Sequence, residues 1–374
     1  MANIRDSIVI VGGYGVVGEQ IAQILRQKYP KIPIVLAGRN PAKAESLLPE
    51  LTPASAMKID LQKSNPLREL QGGKPLALVQ AVNDPFNYLL KDALAYQIPL
   101  VDITRWTSEF KKAETIVQNH PGLSPVILSS GWMAGLASLI AKYLSQSLHQ
   151  VDSIDVDILF ALKDKAGPNS IEYVDRLTDA FSIQRKGEEQ VVQPLSDAKK
   201  IRFPTGYVTN AYRFDTPDQY NLPKSCGAEG VNARIAFDDW FANQSLVFLV
   251  RTGIWSLIAG DRFKNLRHKL LFNPGDGASH EFVVEVQGST RQGDTQKIRA
   301  EIVDPLGQTH LTAVGAVLQL RRIIDASSRR LLSAGVNLPE CVSSEEWWLD
   351  YLREQGVMVK LKRTGQADPS GVLM

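Results

Sequence analysis

Gly13, Gly15 and Gly18 stand at the spacing G-x-G-x-x-G in the run Val11-Gly12-Gly13-Tyr14-Gly15-Val16-Val17-Gly18. The run follows the β-branched stretch Ser7–Val11, and Val17, Ile21, Ile24 and Leu25 beyond it recur at helical spacing. Strand, glycines, then helix is the context in which this pattern holds the diphosphate of a dinucleotide. Gly13 is expected to permit the tight turn, Gly15 to let bare backbone approach the phosphates, and Gly18 to let the helix pack closely on the strand. Tyr14, Val16 and Val17 lie in the same helix opening, whose N–H groups and positive dipole end suit an anion. A glycine-rich turn that holds no ligand is the alternative.

The next candidates lie where later strands should end. A carboxylate about 20 residues past the glycines would mark a ribose hydroxyl site. The chain instead has Leu36-Ala37-Gly38-Arg39-Asn40. Nothing acidic there repels a phosphate, and the Arg39 guanidinium suits bidentate phosphate contact. With Asn40 beside it, this favours NADP(H), the alternative being a solvated surface arginine. Asp60 can meet the adenine amino group or simply form a turn. Asn83 on the cofactor side and Asp84 on the substrate side precede Pro85, so a turn is an equal reading. Asp102 follows an apolar strand and is the catalytic candidate, orienting substrate or relaying a proton; capping is its alternative. Trp106, Trp132 and Met133 can wall a substrate pocket or belong to the core. Arg202, Arg213, Tyr173 and Lys163 can anchor a carboxylated substrate, with nothing in the sequence to choose among them. The five histidines show no metal-ligand spacing, so no metal is expected. No G-x-S-x-G elbow occurs, and Cys226 reads as a structural thiol.

These residues need a frame to hold them. Apolar runs at Ser7–Val11, Ile32–Ala37, Ala56–Leu61, Leu76–Val82, Ile98–Ile103 and Pro125–Leu128 read as six strands. Helical patterns pass through Val17–Leu25, Ala42–Leu48 and Tyr88–Ala93, and a further helix, Leu136–Leu144, follows the sixth strand. Alternation of this kind predicts an α/β, doubly wound parallel sheet. After Gln150 the pattern changes to alternating strands: Val151–Leu162, Lys200–Phe203, Asn210–Phe214, Val231–Phe237, Glu281–Gln287 and Lys297–Val303. Helices at Ser170–Phe181, Ser245–Ile258 and Thr312–Ile324 are expected to cover a second, mixed sheet, and Ser344–Gln355 is one more helix. Gln366–Gly371 reads as a frayed tail.

Composition sets outer bounds. At 374 residues the chain suggests two or three domains. With 42 basic and 40 acidic residues it has no cationic excess for phosphate neutralisation, so no nucleic-acid partner is expected. Two cysteines exclude a disulfide scaffold and a thiolate zinc site. The amino end runs straight into a strand, without a signal-peptide pattern. Leu246–Ala259 is the nearest approach to a long apolar run and is interrupted by Arg251. It reads as a buried or interface helix, with membrane contact as the alternative.

Several of these stretches resemble the saccharopine dehydrogenase-like NADP-binding oxidoreductases. They are Val9–Gly18, Leu36–Ala44, Pro99–Asp102 and Ser130–Leu136, and more loosely Ile201–Gly206 and Ala334–Glu340. The resemblance implies a Rossmann domain at 1–131, a substrate-binding and dimerisation domain with an α+β mixed sheet at 132–335, and a segment at 336–374 returning to the first. It carries Gly13, Gly15, Gly18 and Arg39 over as cofactor residues and Asp102 as a substrate-side residue. It implies hydride transfer to or from a C=N bond of a small amino-acid-derived substrate, in a cytoplasmic homodimer without membrane partners. Reduction of an activated C=C bond in a lipid, polyketide or peptide intermediate is the alternative, motivated by the apolar stretch at 246–259. A non-catalytic NADP-binding regulator is another, motivated by the lack of a recognisable acid–base pair.

Overall fold

The computed structural model describes residues 4–68, 70, 73–120, 124–129, 131–167, 173, 176–258, 276–325, 332–342 and 347–364. The chain divides into two compact units, one of Met1–Leu136 with Thr312–Glu345 and one of Ala137–Leu311 with Glu346–Met374.

The first unit is built on a parallel sheet. Its strands are β1 (Ile8–Val11), β2 (Ile34–Gly38), β3 (Ala54–Lys58), β4 (Ala77–Gln80), β5 (Leu100–Asp102), β6 (Pro125–Ile127) and β15 (Gly335–Asn337). Their spatial order is β15-β6-β5-β4-β1-β2-β3, with every pairing parallel. β1, β2 and β4 are buried along their whole length, which is why they read as unbroken apolar runs. The strand order reverses between β1 and β4, and ligands of such sheets bind in the crevice at the carboxyl ends beside that reversal. Helix α1 (Val16–Lys28) buries Gly18, Ile21, Ala22, Ile24 and Leu25. The Arg26 side chain, in its last turn, donates to the carbonyls of Leu51, Tyr29, Pro30, Ile32 and Pro53 at 2.7–3.0 Å. One guanidinium thus ties together the loops leading into β2 and β3. Helices α2 (Tyr88–Ala95) and α3 (Thr107–Gln118) follow β4 and β5.

The second unit holds α4 (Ala137–Ser145) and a seven-stranded mixed sheet. The strands are β7 (Gln150–Phe160), β10 (Lys199–Arg202), β11 (Val208–Arg213), β12 (Gly230–Phe237), β13 (His280–Ser289), β14 (Thr295–Asp304) and β16 (Met358–Thr364). Their order is β10-β11-β12-β7-β13-β14-β16, antiparallel except for β12 on β7. Helices α5 (Asp218–Cys226), α6 (Trp240–Arg251), α7 (Ile254–Ile258) and α9 (Trp347–Glu354) complete it, and α8 (Gln308–Ile324) begins in it. The return segment expected at 336–374 is divided, since β15 joins the first sheet and β16 the second.

Several expected elements differ. The helix expected over Ala42–Leu48 is a single 3-10 turn, Pro41–Ala44, followed by turns. Pro49, which lacks a donor and restricts Leu48 before it, bars any helix from running past this segment. Phe181 opens β8 (Phe181–Arg185) rather than closing a helix. β8 pairs with β9 (Glu188–Val192) across Lys186-Gly187, both at positive φ as a tight hairpin requires. Of the helix expected at Ser170–Phe181, residues 170–172, 174 and 175 lie outside the described set, as does the tail at 366–371. From Thr312 onward α8 belongs to the first unit. The alternation in β7 is real, but its polar face is not open to water: Asp157 is buried. Lys199 Nζ lies 2.9 Å from Asp155 and 3.1 Å from Asp157, and Arg234 Nη1 lies 2.8 Å from Asp155. Against the burial that raises it, Lys199 and Arg234 hold Asp155 below its usual range, whereas burial pushes Asp157 up to about 6.

A second buried acid sits at the end of this sheet. Asp164 Oδ2 accepts the Gln308 N–H at 2.9 Å and lies 3.6 Å from His280 Nδ1, while its Oδ1 has no hydrogen-bond partner. Burial first, and the nearby Asp304 carboxylate, push Asp164 up to about 7, and burial pushes His280 down to about 3. Between roughly pH 4 and 7 the folded chain therefore keeps a proton that the unfolded chain has lost. The contribution of Asp164 to stability is full below about pH 4 and is lost as the pH rises through about 7. Neutral His280 contributes in the opposite sense, its stability rising with pH up to about 6.5, so Asp164→Asn should make the urea midpoint fall less, or rise more, than the parent's between pH 5 and pH 7. An unchanged slope would contradict this.

Candidate functional site

β1 ends in a loop that only small residues can form. Gly12 turns at φ +91°, its N–H donating to Ala37 O at 2.8 Å and its carbonyl accepting from Gly15 N–H at 2.9 Å. The turn expected at Gly13 is therefore made at Gly12, where a left-handed φ disfavours any side chain. Gly13 serves close packing, since a Cβ there would lie 2.8 Å from Ile10 O and 2.9 Å from Leu36 Cδ2. A Cβ on Gly18 would collide with the Gly12 carbonyl and sit 2.8 Å from Gly13 Cα. Gly15 is the N-cap of α1, exposed, extended and without a side chain over the helix end. Val16 is exposed and Val17 half-buried just beyond it. Bare backbone at Gly15 thus lies at the first turn of α1, where N–H groups lack intrahelical acceptors. The absence of a side chain and the free N–H groups fit a diphosphate.

The neighbouring strand end completes this half of the site. Arg39 and Asn40 are both exposed immediately after β2. Tyr14 is half-buried and its hydroxyl accepts the Asn40 N–H at 2.9 Å. Ile59 N–H donates to Gly38 O at 3.0 Å, which brings Asp60 alongside. Asp60 Oδ1 accepts the Gln62 N–H at 3.1 Å, so the carboxylate forms a turn in this structure.

The ends of β4 and β5 carry a different chemistry. Asp102 is fully buried with both oxygens engaged. Oδ1 accepts from Thr104 N–H at 2.9 Å and Thr104 Oγ1 at 2.8 Å, and Oδ2 accepts from Arg105 Nε in a short ion pair. Arg105, also buried, donates from Nη1 to Asn87 Oδ1 at 2.5 Å, and Gln80 Nε2 donates to Thr104 Oγ1 at 3.2 Å. Asn87 caps α2 in the left-handed region. Asp102 thus anchors the β5 loop and does not present an open carboxylate. Asp84 is buried too, and its Oδ2 accepts Leu89 N–H at 2.7 Å; burial raises it above the usual carboxylate range. Asn83 is half-buried beside it. Trp106 is half-buried at the start of α3, with its indole N–H donating to Ser108 Oγ at 2.9 Å. Trp132 is buried in the core, whereas Met133 is half-buried in a widened turn, Trp132–Leu136.

Elsewhere, Arg213 pairs with Asp197 at 2.5 Å and with Asn232 at 2.8 Å, so its guanidinium is held within the second unit. Arg202 and Lys163 are exposed, and Tyr173 is half-buried against Phe214. The apolar stretch on α6 and α7 has two faces, with Leu246 and Val247 buried and Phe248 and Leu257 exposed. Spacing alone hid one acid–base pair: His310 Nδ1 lies 2.7 Å from Asp304 Oδ2. Among the described residues no cluster of three acid, His or Cys side chains could hold a metal, and no helix is long and apolar enough to cross a membrane.

No protein-family model matches the chain, and no curated protein sequence matches it. Solved structures do. Apo saccharopine dehydrogenase (L-Glu forming) from Saccharomyces cerevisiae superposes with a TM-score of 0.69 at 14% identity, covering 96% of this chain and 100% of that one. A meso-dapdh variant with DAP from Clostridium tetani E88 gives 0.43 at 14% identity, covering 94% and 99%. Scyllo-inositol dehydrogenase from Lactobacillus casei with NAD(H) and scyllo-inositol gives 0.44 at 10% identity, covering 95% and 99%. The chain therefore shares the fold of saccharopine dehydrogenase, as the motif residues led us to expect.

The Asp102–Arg105 pair makes a direct stability test possible. Asp102→Ala leaves a buried guanidinium without its ion partner, a change that typically costs about 3–5 kcal/mol. Chemical denaturation should register a loss of that order, and a variant as stable as the parent would contradict the anchoring role.

Proposed function

We propose that this chain is an NADP(H)-dependent oxidoreductase that transfers a hydride to or from a C=N bond of a small amino-acid-derived substrate. The observation that carries this reading is the cradle of Gly12, Gly13, Gly15 and Gly18 beside the strand reversal, with the exposed Arg39 and no carboxylate at the end of β2. Backbone N–H groups at the start of α1 bind the diphosphate, and the absence of a side chain at Gly15 lets it approach. Arg39 pairs with the 2′-phosphate, a contact an unphosphorylated ribose cannot make. Asp102, Thr104 and Arg105 act as positioning residues that hold the β5 loop at the carboxyl edge of the sheet. Bound in this way, the dinucleotide would donate or accept the hydride according to the direction of reaction, and the chain contributes alignment and exclusion of water.

The C=N half of the reading is supported by the fold shared with saccharopine dehydrogenase and by the motif resemblance at Val9–Gly18, Leu36–Ala44 and Pro99–Asp102.

The cofactor assignment is tested by affinity rather than turnover. Arg39→Ala should weaken NADPH binding about 10- to 100-fold, the usual worth of a lost charge-assisted hydrogen bond, and leave NADH affinity nearly unchanged. Fluorescence titration of the two nucleotides reads both constants. Equal losses would defeat the 2′-phosphate role.

A further inference from the structure

Tyr14 occupies the variable position between Gly13 and Gly15, and its side chain crosses to the neighbouring strand. The ring lies against the backbone of Gly38, the last residue of β2: a Cβ at Gly38 would sit 2.6 Å from Tyr14 Cζ and 2.9 Å from Cε1. Only glycine at 38 leaves room for the ring. The phenolic oxygen accepts the Asn40 N–H at 2.9 Å, at the entrance to the Pro41–Ala44 turn, where the Asn40 side chain itself makes no capping bond. The hydroxyl is thereby fixed in place through its acceptor side, and among the described residues no acceptor takes its own proton. A phenol accepts and donates at once, so the two roles do not compete.

The end of β2 is where folds of this kind meet the 2′ position of the adenosine ribose. Arg39 is exposed at the same strand end. We propose that Tyr14 is a second reader of the 2′-phosphate, its O–H donating to a phosphate oxygen while Asn40 holds the phenolic oxygen in position. This deepens the cofactor reading above and rests on it. A hydrogen bond to a phosphate oxygen is charge-assisted and roughly twice as strong as one to a neutral ribose hydroxyl. Tyr14 therefore discriminates between the two nucleotides and is more than a wall for the ribose. Gly38 belongs to the same device, as the position that admits the ring.

The test uses the whole chain and four probes: NADPH and NADH, and the fragments 2′,5′-ADP and 5′-AMP, which isolate the adenosine end. Tyr14→Phe keeps the ring and removes the hydroxyl. Titration calorimetry should show NADPH and 2′,5′-ADP weakened about 5- to 20-fold, with NADH and 5′-AMP changed less than about twofold. Gly38→Ala forces the flexible ring off the strand and should give the same selective loss, with an intact melting transition showing that the fold survives. Equal weakening of phosphorylated and unphosphorylated probes would overturn the proposal, because a merely structural hydroxyl acts on both alike. Unchanged affinities in Tyr14→Phe would overturn it as well. In both cases a parent protein that binds NADPH leaves the cofactor reading standing, whereas a parent that binds neither dinucleotide removes both.

Discussion

The approach of α1 to the turn that precedes it is the constraint on which the first unit depends. Gly18 lies against the carbonyl of Gly12 and the Cα of Gly13, closer than any side chain would permit. Because that contact is backbone on backbone, the helix start is held at the carboxyl edge of the sheet, next to the reversal of strand order between β1 and β4. A helix displaced by one methyl group would carry its N–H groups away from the loop and open the cradle.

A different physics governs the ends of β4 and β5. There the chain buries an ion pair, Asp102 with Arg105, and satisfies it with Thr104 and Asn87. Buried pairs add little net stability over an apolar equivalent, but losing one partner is costly. The arrangement trades stability for a defined loop geometry at the edge of the sheet. In the second unit charge is buried on a larger scale, with Lys199 and Arg234 holding Asp155 and Asp157 across β7, β10 and β12.

What could be read from sequence follows from how local each requirement is. The spacing of Gly13, Gly15 and Gly18 was legible because three nearby positions share one steric demand, and Arg39 because its strand ends in a fixed relation to them. The apolar strands of the first sheet were legible because burial on both faces leaves no polar position. Gly38 carried no local signal, since its reason is a ring 24 residues earlier in the chain. Asp102 was recognised as a buried-strand carboxylate, but its partner Arg105 turns it from an open acid into an anchor. The α3 helix is weakly marked in the sequence although Phe110, Ala113 and Val117 share a buried face, because most of the rest of it is polar. The β8–β9 hairpin has no burial pattern to announce it, because β9 is exposed along nearly all its length. His310 and Asp304 lie six residues apart across the turn between β14 and α8, a pairing that spacing rules for one helix or one strand do not contain.

Hydrogen exchange with mass-spectrometric readout, with and without saturating NADPH, tests the central claim most directly. If the backbone cradle grips the diphosphate, added nucleotide should slow exchange in peptides spanning Val11–Glu19 and Gly38–Ala44. Unchanged exchange in the glycine loop, at a nucleotide concentration where binding is saturated, would contradict it.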